Sequence, residues 1–187
     1  MTDYKTRATV GRIVRAMLLI RDVQTDDAEA VVALLNPIIE SGLYTTFVEP
    51  FTPSFERAFI ESFPARGHFL GAFDNASRSA SNNGRLRGFQ VVTPAPGYTP
   101  ALDHVAEIGT YVSLDYQQRG VAGQLFSATL ERAKLHGFEK LLAWVRADNA
   151  AGLRSYRKCG FAEVGTAKRH AKIGGRYVDV VLNERYL

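Results

Sequence analysis

Cysteine is almost missing from this sequence, since Cys159 is the only one among 187 residues. A single cysteine cannot form a disulfide within the chain, and this fits a reducing, cytoplasmic setting. Long apolar runs are missing too. The apolar run nearest the N-terminus, residues 16–20, is too short for a secretory signal and far shorter than the roughly 18 residues that a membrane helix needs. The sequence therefore predicts a cytoplasmic protein with no membrane partner.

Patterns that mark metal sites and nucleic-acid surfaces are missing as well. The four histidines show no metal-ligand spacing, so no metal is expected; they are His68, His104, His136 and His170. The net charge of +4 is mildly basic, but the basic residues form no stripe with interleaved aromatic residues. Nucleic acid is therefore not expected as a partner, whereas an anionic small molecule suits the charge.

The length and composition favour one folded domain. The chain has 187 residues, of which 46% are hydrophobic and 22% charged, an ordinary globular balance that supports a sizeable core. It contains no internal repeats and no linker-like stretch that would divide it. Residues 1–16 carry Lys5, Arg7, Arg12 and Arg15 and are interpreted as a basic N-terminal extension. The domain is accordingly predicted to span residues 17–187.

The most informative stretch is a glycine-containing turn at residues 117–123. Residues 105–113 before it are rich in β-branched and aromatic residues, as in a strand, and residues 124–136 after it have apolar residues near helical spacing. The first N–H groups of a helix have no internal partner and lie at the positive end of the helix dipole, so such a turn can bind phosphate. Because the turn lacks the G-x-x-x-x-G-K-[ST] and G-x-G-x-x-G patterns, neither a nucleoside triphosphate nor a dinucleotide is indicated.

Two motifs follow one another along the chain. Residues 117–122 match the pattern [QR]-x-x-G-x-[GA], and residues 149–161 match N-x-x-[ASG]-x-x-x-Y-x-K-x-G-F. A helix-length segment and a short apolar strand at residues 140–145 separate them. This arrangement resembles the GNAT superfamily of N-acetyltransferases, and the resemblance covers roughly residues 19–187.

The resemblance implies a GNAT fold of the α/β (α+β) class, with a mixed central sheet of about seven strands and about four flanking helices. In this fold the fourth strand is bulged and splays from the parallel fifth strand. The residue pattern predicts strands near residues 18–22, 68–73, 86–92, 105–113, 140–145, 162–170 and 177–183. It predicts helices near residues 25–41, 53–60, 124–136 and 149–158. Pro37 is expected to kink or break the first helix and to open a loop over residues 39–44.

Acetyl-CoA is the cosubstrate that the resemblance implies. Its pantetheine arm would pair with free backbone groups of the fourth strand, and its pyrophosphate would lie on the turn. The implied coenzyme-binding residues are Thr110, Tyr111 and Val112 on the strand, Gln117, Gln118, Arg119, Gly120, Val121, Ala122 and Gly123 at the turn and helix start, and Asn149, which is also a good N-cap.

Acetyl transfer to an amine needs a base for the ammonium and an acid for the departing thiolate. Tyr156 matches the GNAT tyrosine that protonates the thiolate, and the pKa of about 10 of a free tyrosine suits that leaving group. The glutamate that protein-acetylating members often carry on the fifth strand is replaced by Trp144, so Glu107 is the candidate base. Strand alternation is expected to place Glu107 on one face with Gly109 and Tyr111.

Within the superfamily, the phosphinothricin acetyltransferase-like subgroup is the most similar in pattern. Residues 36–41 and 47–50 resemble the segment that covers its acceptor pocket, and residues 171–179 resemble its closing hairpin. The implied substrate-binding residues are Glu40, Tyr44, Thr46 and Phe47. The predicted function is acetyl transfer to a primary amine of a small molecule by direct attack in a ternary complex. A homodimer would fit this subgroup.

Two other functions remain as alternatives. Acetylation of a protein N-terminus or lysine is disfavoured by Trp144, and a non-catalytic acyl-CoA sensor would need neither Tyr156 nor Glu107. Neither motif encodes the identity of the acceptor amine or the preferred acyl chain.

Overall fold

The computed structural model of the chain describes residues 18–74, 84–95, 97 and 99–187. Its strands are β1 (Leu18–Asp22), β2 (His68–Asp74), β3 (Leu86–Pro94), β4 (Val105–Val112), β5 (Lys140–Arg146), β6 (Ala162–Ile173) and β7 (Arg176–Tyr186). Its α-helices are α1 (Ala28–Glu40), α2 (Pro53–Glu61), α3 (Val121–Leu135) and α4 (Ala150–Lys158). The basic extension at residues 1–16 lies outside the described residues, so its assignment stays a prediction.

All seven strands join one mixed sheet in the order β1-β2-β3-β4-β5-β7-β6. Neighbouring strands are antiparallel except β4 and β5, which are parallel. The parallel pairing runs only from Val105 opposite Lys140 to Glu107 opposite Leu142. Both strands continue beyond these pairs, so they splay apart, as the GNAT fold predicts. The predicted fold class is confirmed.

The bulge expected in β4 is not found in its pairing with β3. The register is unbroken from Gly88 opposite Val112 to Pro94 opposite Ala106. An extra residue in β4 would have shifted this register. The gap therefore opens because β5 leaves β4 after Glu107, while β4 stays paired with β3.

Pro37 does not interrupt the first helix, so the break predicted there is wrong. Proline removes one N–H group and crowds the carbonyl four residues earlier, but Pro37 and Ala33 are both exposed, so the loss falls on the solvent side. The neighbouring Ile38 is buried and keeps the helix on the sheet. As a result α1 continues to Glu40, and the chain turns away at Gly42, whose φ of 65° favours glycine.

The sheet is covered on both faces, and β4 contributes to both cores. α1 and α2 pack on one face, called here the α1 face, where Phe69 and Phe89 are buried and Tyr111 packs against them. α3 and α4 pack on the other face, called the α3 face, whose core includes Ile108 and Phe126. Side chains alternate along β4, so the strand presents one set of residues to each group of helices just where β5 departs.

Candidate active site

The turn before α3 has the geometry of an anion site. Gln118 and Gly120 have left-handed backbone, with φ of 59° and 82°, and Gly120 is the N-cap of α3. The helix's first hydrogen bond runs from the Gln124 N–H to the Gly120 carbonyl at 3.3 Å. The N–H groups of the three residues before Gln124 have no carbonyl one turn earlier in the helix. The first turn of α3 carries no acidic residue, so the partial positive charge at the N-terminal end of this helix is not neutralised there.

Space and charge around this turn suit a phosphate group. Gly123 is exposed, and a Cβ added there would meet no atom within 4 Å. Arg119 is also exposed, with its guanidinium carbon 4.7 Å from the centroid of the Tyr116 ring. Val121 differs from the other predicted residues because its side chain is buried in the core on the α3 face, which leaves only its backbone N–H for a ligand.

Tyr156 reaches β4 from the α3 face. Its hydroxyl lies 3.0 Å from Thr110 Oγ1 and 3.3 Å from the Ile108 carbonyl oxygen, and it can donate to either. Phe126 and Phe161 pack edge-on against its ring, with centroids at 5.5 and 5.0 Å. Burial raises the pKa of the phenol, and the hydrogen bond with Thr110 opposes that rise. The phenol is therefore held protonated beside the part of β4 that β5 has left.

A second buried side chain fixes the Thr110 hydroxyl. Gln90, on the neighbouring strand β3, is fully buried and donates from Nε2 to Thr110 Oγ1 at 2.9 Å. Gln90 stands directly opposite Thr110 in the antiparallel pairing, which explains the contact. Gln90, Thr110 and Tyr156 thus form a hydrogen-bonded chain on the α3 face, and Gln90 was not foreseen from the sequence.

Glu107 lies on the opposite, α1 face of the sheet. Trp144 Nε1 donates to its Oε1 at 3.2 Å, and the indole stacks on the His170 imidazole with centroids 5.5 Å apart and planes 1° apart. A Cβ added at Gly109 would come 3.1 Å from the Tyr111 ring, which places these two residues on one face, as predicted. The tryptophan that replaces the glutamate of protein-acetylating members is therefore in direct contact with the candidate base.

The loop after α1 is attached to β5 and α4 by two polar side chains. Arg146, at the end of β5, is 5% exposed and donates from Nη1 to the carbonyls of Gly42 (2.6 Å) and Thr45 (3.2 Å). Asn149 accepts from the Gly152 N–H at 2.8 Å, as an N-cap does, and donates from Nδ2 to the Tyr44 carbonyl at 3.3 Å. The predicted N-cap role is confirmed, and Asn149 also holds the loop.

The side chains predicted to bind the acceptor are not all brought together. The Phe47 ring stacks on Tyr111 with centroids 6.3 Å apart, which puts it over the α1 face beside β4. Tyr44 approaches α4 through its backbone. Glu40, at the end of α1, and Thr46 are both exposed. Within the part of the chain that the structure describes, neither has a side-chain hydrogen bond to the other site residues.

Glu56 is an acidic residue near this site that the sequence analysis missed. It lies on α2 and is 4% exposed, and burial raises its pKa to about 7. Its charge acts on Tyr111, whose own pKa burial raises to about 12. A signal for it exists in the sequence, because Glu56 stands three and four residues before Phe59 and Ile60, on the apolar side of the helix.

The turn, the strand gap and the buried tyrosine together fit the active site of a coenzyme A-dependent acyltransferase. The sequence model of the family described as "Acetyltransferase (GNAT) family" matches residues 38–161, more than half of the chain. The chain therefore belongs to the GNAT acetyltransferase family, and the prediction of an acetyl-CoA-dependent N-acetyltransferase is confirmed at that level.

Two curated relatives of the chain are named for the acetylation of phosphinothricin and of methionine sulfoximine or methionine sulfone. The phosphinothricin N-acetyltransferase of Streptomyces coelicolor is 25% identical over 172 residues, covering 92% of this chain and 98% of the relative. The L-methionine sulfoximine/L-methionine sulfone acetyltransferase of Pseudomonas aeruginosa is 24% identical over 164 residues, covering 86% of this chain and 90% of the relative. The likeness to the phosphinothricin acetyltransferase-like subgroup is thereby confirmed.

Solved structures support the same fold. The phosphinothricin acetyltransferase of Sinorhizobium meliloti, solved in complex with acetyl-CoA, superposes with a TM-score of 0.80 at 19% identity, covering 91% of this chain and 89% of that one. At this identity the likeness is one of fold. Within the described ranges no helix is long and apolar enough to cross a membrane, and no group of three or more His, Cys, Asp or Glu side chains is placed to hold a metal ion.

Proposed function

We propose that this protein transfers the acetyl group of acetyl-CoA to a primary amine of a small molecule, by direct attack in a ternary complex. One observation carries the proposal: the candidate acid and base lie on opposite faces of the sheet, at the gap between β4 and β5. Tyr156 contacts β4 from the α3 face, whereas Glu107 lies on the α1 face. Two reactants that enter from opposite faces can meet at this gap without a covalent enzyme intermediate.

The residues on the α3 face fit acetyl-CoA, which supplies an acetyl thioester. Residues 118–123 offer unpaired helix N–H groups and an open surface to its pyrophosphate. The stretch of β4 after Glu107 pairs with β3 only, so its other edge is available to the amide groups of the pantetheine arm. Thr110, Tyr111 and Val112 belong to this stretch, which supports their assignment as coenzyme-binding residues.

Glu107 is proposed to take the proton from the acceptor ammonium, directly or through a water molecule. The Trp144 N–H holds Oε1 of the carboxylate at 3.2 Å and orients it. Among the described residues no donor occupies Oε2, so this oxygen can receive the proton. The amine that results is then positioned at the strand gap for attack.

Tyr156 is proposed to donate its proton to the departing thiolate. Its burial keeps the phenol protonated at neutral pH, and a group must hold its proton in order to act as an acid. The Thr110 hydroxyl, itself fixed by Gln90, orients the phenol and stabilises the phenolate that remains after proton transfer. Glu107 gains one proton from the ammonium, and Tyr156 loses one to the thiolate. The nitrogen gives up a second proton as the amide forms, and this proton returns to the phenolate of Tyr156, so that one proton is released overall.

The small-molecule acceptor is proposed from the relatives and from the loop after α1. Both relatives described above are named for acetylating small amino acid analogues. In this chain, Arg146 and Asn149 hold residues 42–45 against β5 and α4, which supports a pocket of fixed shape on the α1 face. Residues 17–187 are proposed to form this one catalytic domain, in the cytoplasm, where the single Cys159 would remain reduced.

Thiol release from acetyl-CoA tests the function, with a panel of alkylamines, arylalkylamines, phosphinothricin, methionine sulfoximine, polyamines and short peptides. We expect turnover well above background on at least one small amine. Turnover on peptides alone would replace the small acceptor by a protein N-terminus or lysine. Tight acetyl-CoA binding in calorimetry, with no turnover on any amine, would instead support a sensor.

A further inference from the structure

We infer that Trp144 and His170 form an aromatic wall of the acceptor site, and that the preferred acceptor is a primary amine carrying an aromatic or flat apolar group. The inference rests on the proposed function, because it names the class of amine that would bind beside Glu107. It is carried by four features of the α1 face: the ring stack, its link to Glu107, the strained segment that presents His170, and the state of the nearby guanidinium.

The wall combines an open ring surface with a carboxylate. Trp144 is 46% exposed although it lies on an inner strand of the sheet, and its indole is parallel to the His170 ring, with centroids 5.5 Å apart. Its N–H bond to Glu107 fixes one edge of the indole beside the candidate base. An ammonium at Glu107 would therefore carry its side group along these rings, where aromatic stacking and cation–π attraction both favour binding.

A strained bulge brings His170 to this position. Ala167 pairs with Val180 and Ala171 pairs with Val178, so the three residues 168–170 of β6 stand opposite the single residue Asp179 of β7. β7 lies between β6 and β5, so an imidazole on β6 must cross it to meet Trp144. The bulge supplies the bend that this requires.

Asp179 holds the bulge in place. Arg169, in the middle of the bulge, has a φ of 52°, which is unfavourable for a side chain other than glycine. Its N–H donates to Asp179 Oδ1 at 2.7 Å, and Lys168 Nζ donates to Oδ2 at 3.0 Å. A strained conformation that is held this firmly, and that presents a ring to an exposed tryptophan, indicates a role in binding.

Arg146 lies on the same face, but its guanidinium is already engaged within the protein. It is therefore not arranged to bind a carboxylate of the substrate. Four of the five N–H donors of Arg146 are used: Nε and Nη2 donate to the two Asp148 oxygens at 2.9 and 2.7 Å, and Nη1 donates twice to loop carbonyls. Binding a substrate carboxylate at both oxygens would need two parallel free N–H groups. Arg146 therefore offers no such pair of N–H groups, whereas the exposed rings of Trp144 and His170 are open to the acceptor's side group.

The activity test compares 2-phenylethylamine with n-propylamine, which share the primary amine and differ in the ring. In the full chain we expect kcat/KM to be about tenfold higher for the aromatic amine, the size of effect that an apolar pocket contact provides. Methionine sulfoximine, which has a carboxylate and no ring, should be a poorer acceptor than 2-phenylethylamine. A ratio near one, or a preference for methionine sulfoximine, would overturn the inference.

Two substitutions separate the ring from its hydrogen bond. Trp144→Ala should bring the ratio of kcat/KM for 2-phenylethylamine to kcat/KM for n-propylamine close to one. Trp144→Phe retains a ring but loses the hydrogen bond from the indole N–H to Glu107, so it should largely keep this ratio and lower kcat/KM for both amines. His170→Ala should lower the ratio by about threefold. Tyr186→Ala is the matched control, because Tyr186 is an exposed aromatic residue on β7 opposite Lys140, and its loss should leave the ratio unchanged.

Fluorescence gives a readout that is independent of turnover. Trp144 is the only tryptophan of the chain, so emission excited at its absorption edge reports on the wall alone. With coenzyme A present, 2-phenylethylamine should change the emission saturably and n-propylamine should not. A saturable response without turnover on any amine would support the wall and overturn the proposed transferase function. Turnover on both amines with no change in emission would overturn the wall.

Discussion

The two faces of β4 use different chemistry. The α3 face offers backbone N–H groups at the start of α3 and a chain of neutral hydrogen-bonding groups that ends at Tyr156. The α1 face offers carboxylates, at Glu107 and Glu56, among aromatic rings. The first set suits an invariant anionic coenzyme, whereas the second suits a cationic acceptor whose shape can vary between relatives. Substitutions on the α3 face should therefore affect coenzyme binding or the proton given to the thiolate, whereas substitutions on the α1 face should affect the acceptor amine.

The largest expected effect comes from removing the phenol on the α3 face. Tyr156→Phe keeps the ring packing against Phe126 and Phe161 but removes the proposed proton donor. We expect kcat to fall by about 10³, within the range of a lost general acid, while the Kd of acetyl-CoA changes little. Steady-state thiol release and calorimetry measure the two. Tyr186→Phe, at an exposed tyrosine on β7, serves as control. An undiminished kcat in Tyr156→Phe would remove Tyr156 from the mechanism.

The next effect concerns stability and belongs to the α1 face. The pKa of Glu56 is raised to about 7 in the folded protein, above that of an unfolded glutamate, so the folded state binds more protons between these values. Stability should consequently fall as the pH rises through this window, by up to about 3 kcal/mol. In Glu56→Gln this loss should disappear. Urea unfolding at pH 5 and pH 8 measures the free energy of unfolding of the unsubstituted protein and of Glu56→Gln. If this free energy depended on pH equally in the two proteins, the raised pKa of Glu56 would be contradicted.

Removing the candidate base should have a somewhat smaller effect on the rate. Glu107→Gln keeps an acceptor oxygen for the Trp144 N–H and removes the carboxylate charge. We expect kcat to fall by about 10² with acetyl-CoA binding unchanged. Glu131→Gln, at an exposed glutamate on α3, is the control. If Glu107→Gln retained full activity across pH 6–9, the proton would have to leave by another route, and Glu56 would be the next residue to change.

The smallest expected effect tests the anion site. Gly123→Glu would place a negative charge at the exposed start of α3 without a steric clash, since a Cβ there meets open space. We expect the KM for acetyl-CoA to rise by about tenfold at low salt and kcat to stay within twofold, because the charge opposes the pyrophosphate only. Gly123→Ala controls for the added Cβ. An equal rise in KM for both variants would assign the effect to shape.

Particular residues show where reasoning from the sequence succeeds. The turn at residues 117–123 and the N-cap role of Asn149 depend on backbone geometry within a few residues, and the structure confirms the local conformation of both. Pro37 shows where such reasoning fails. Its effect depends on whether the crowded side of the helix faces solvent or core, which is decided by packing against the sheet.

The amino-acid sequence by itself determined the family, the element order and the glycine-containing turn before α3, because these depend on local hydrogen bonding and on periodicity. Only the tertiary structure decided which side chains meet on the α1 face. Arg146 donates to carbonyls about a hundred positions away in the chain, at Gly42 and Thr45, and Trp144 meets both Glu107 and His170. Such contacts depend on strand order, register and a bulge, so no local pattern around any one of these residues encodes them.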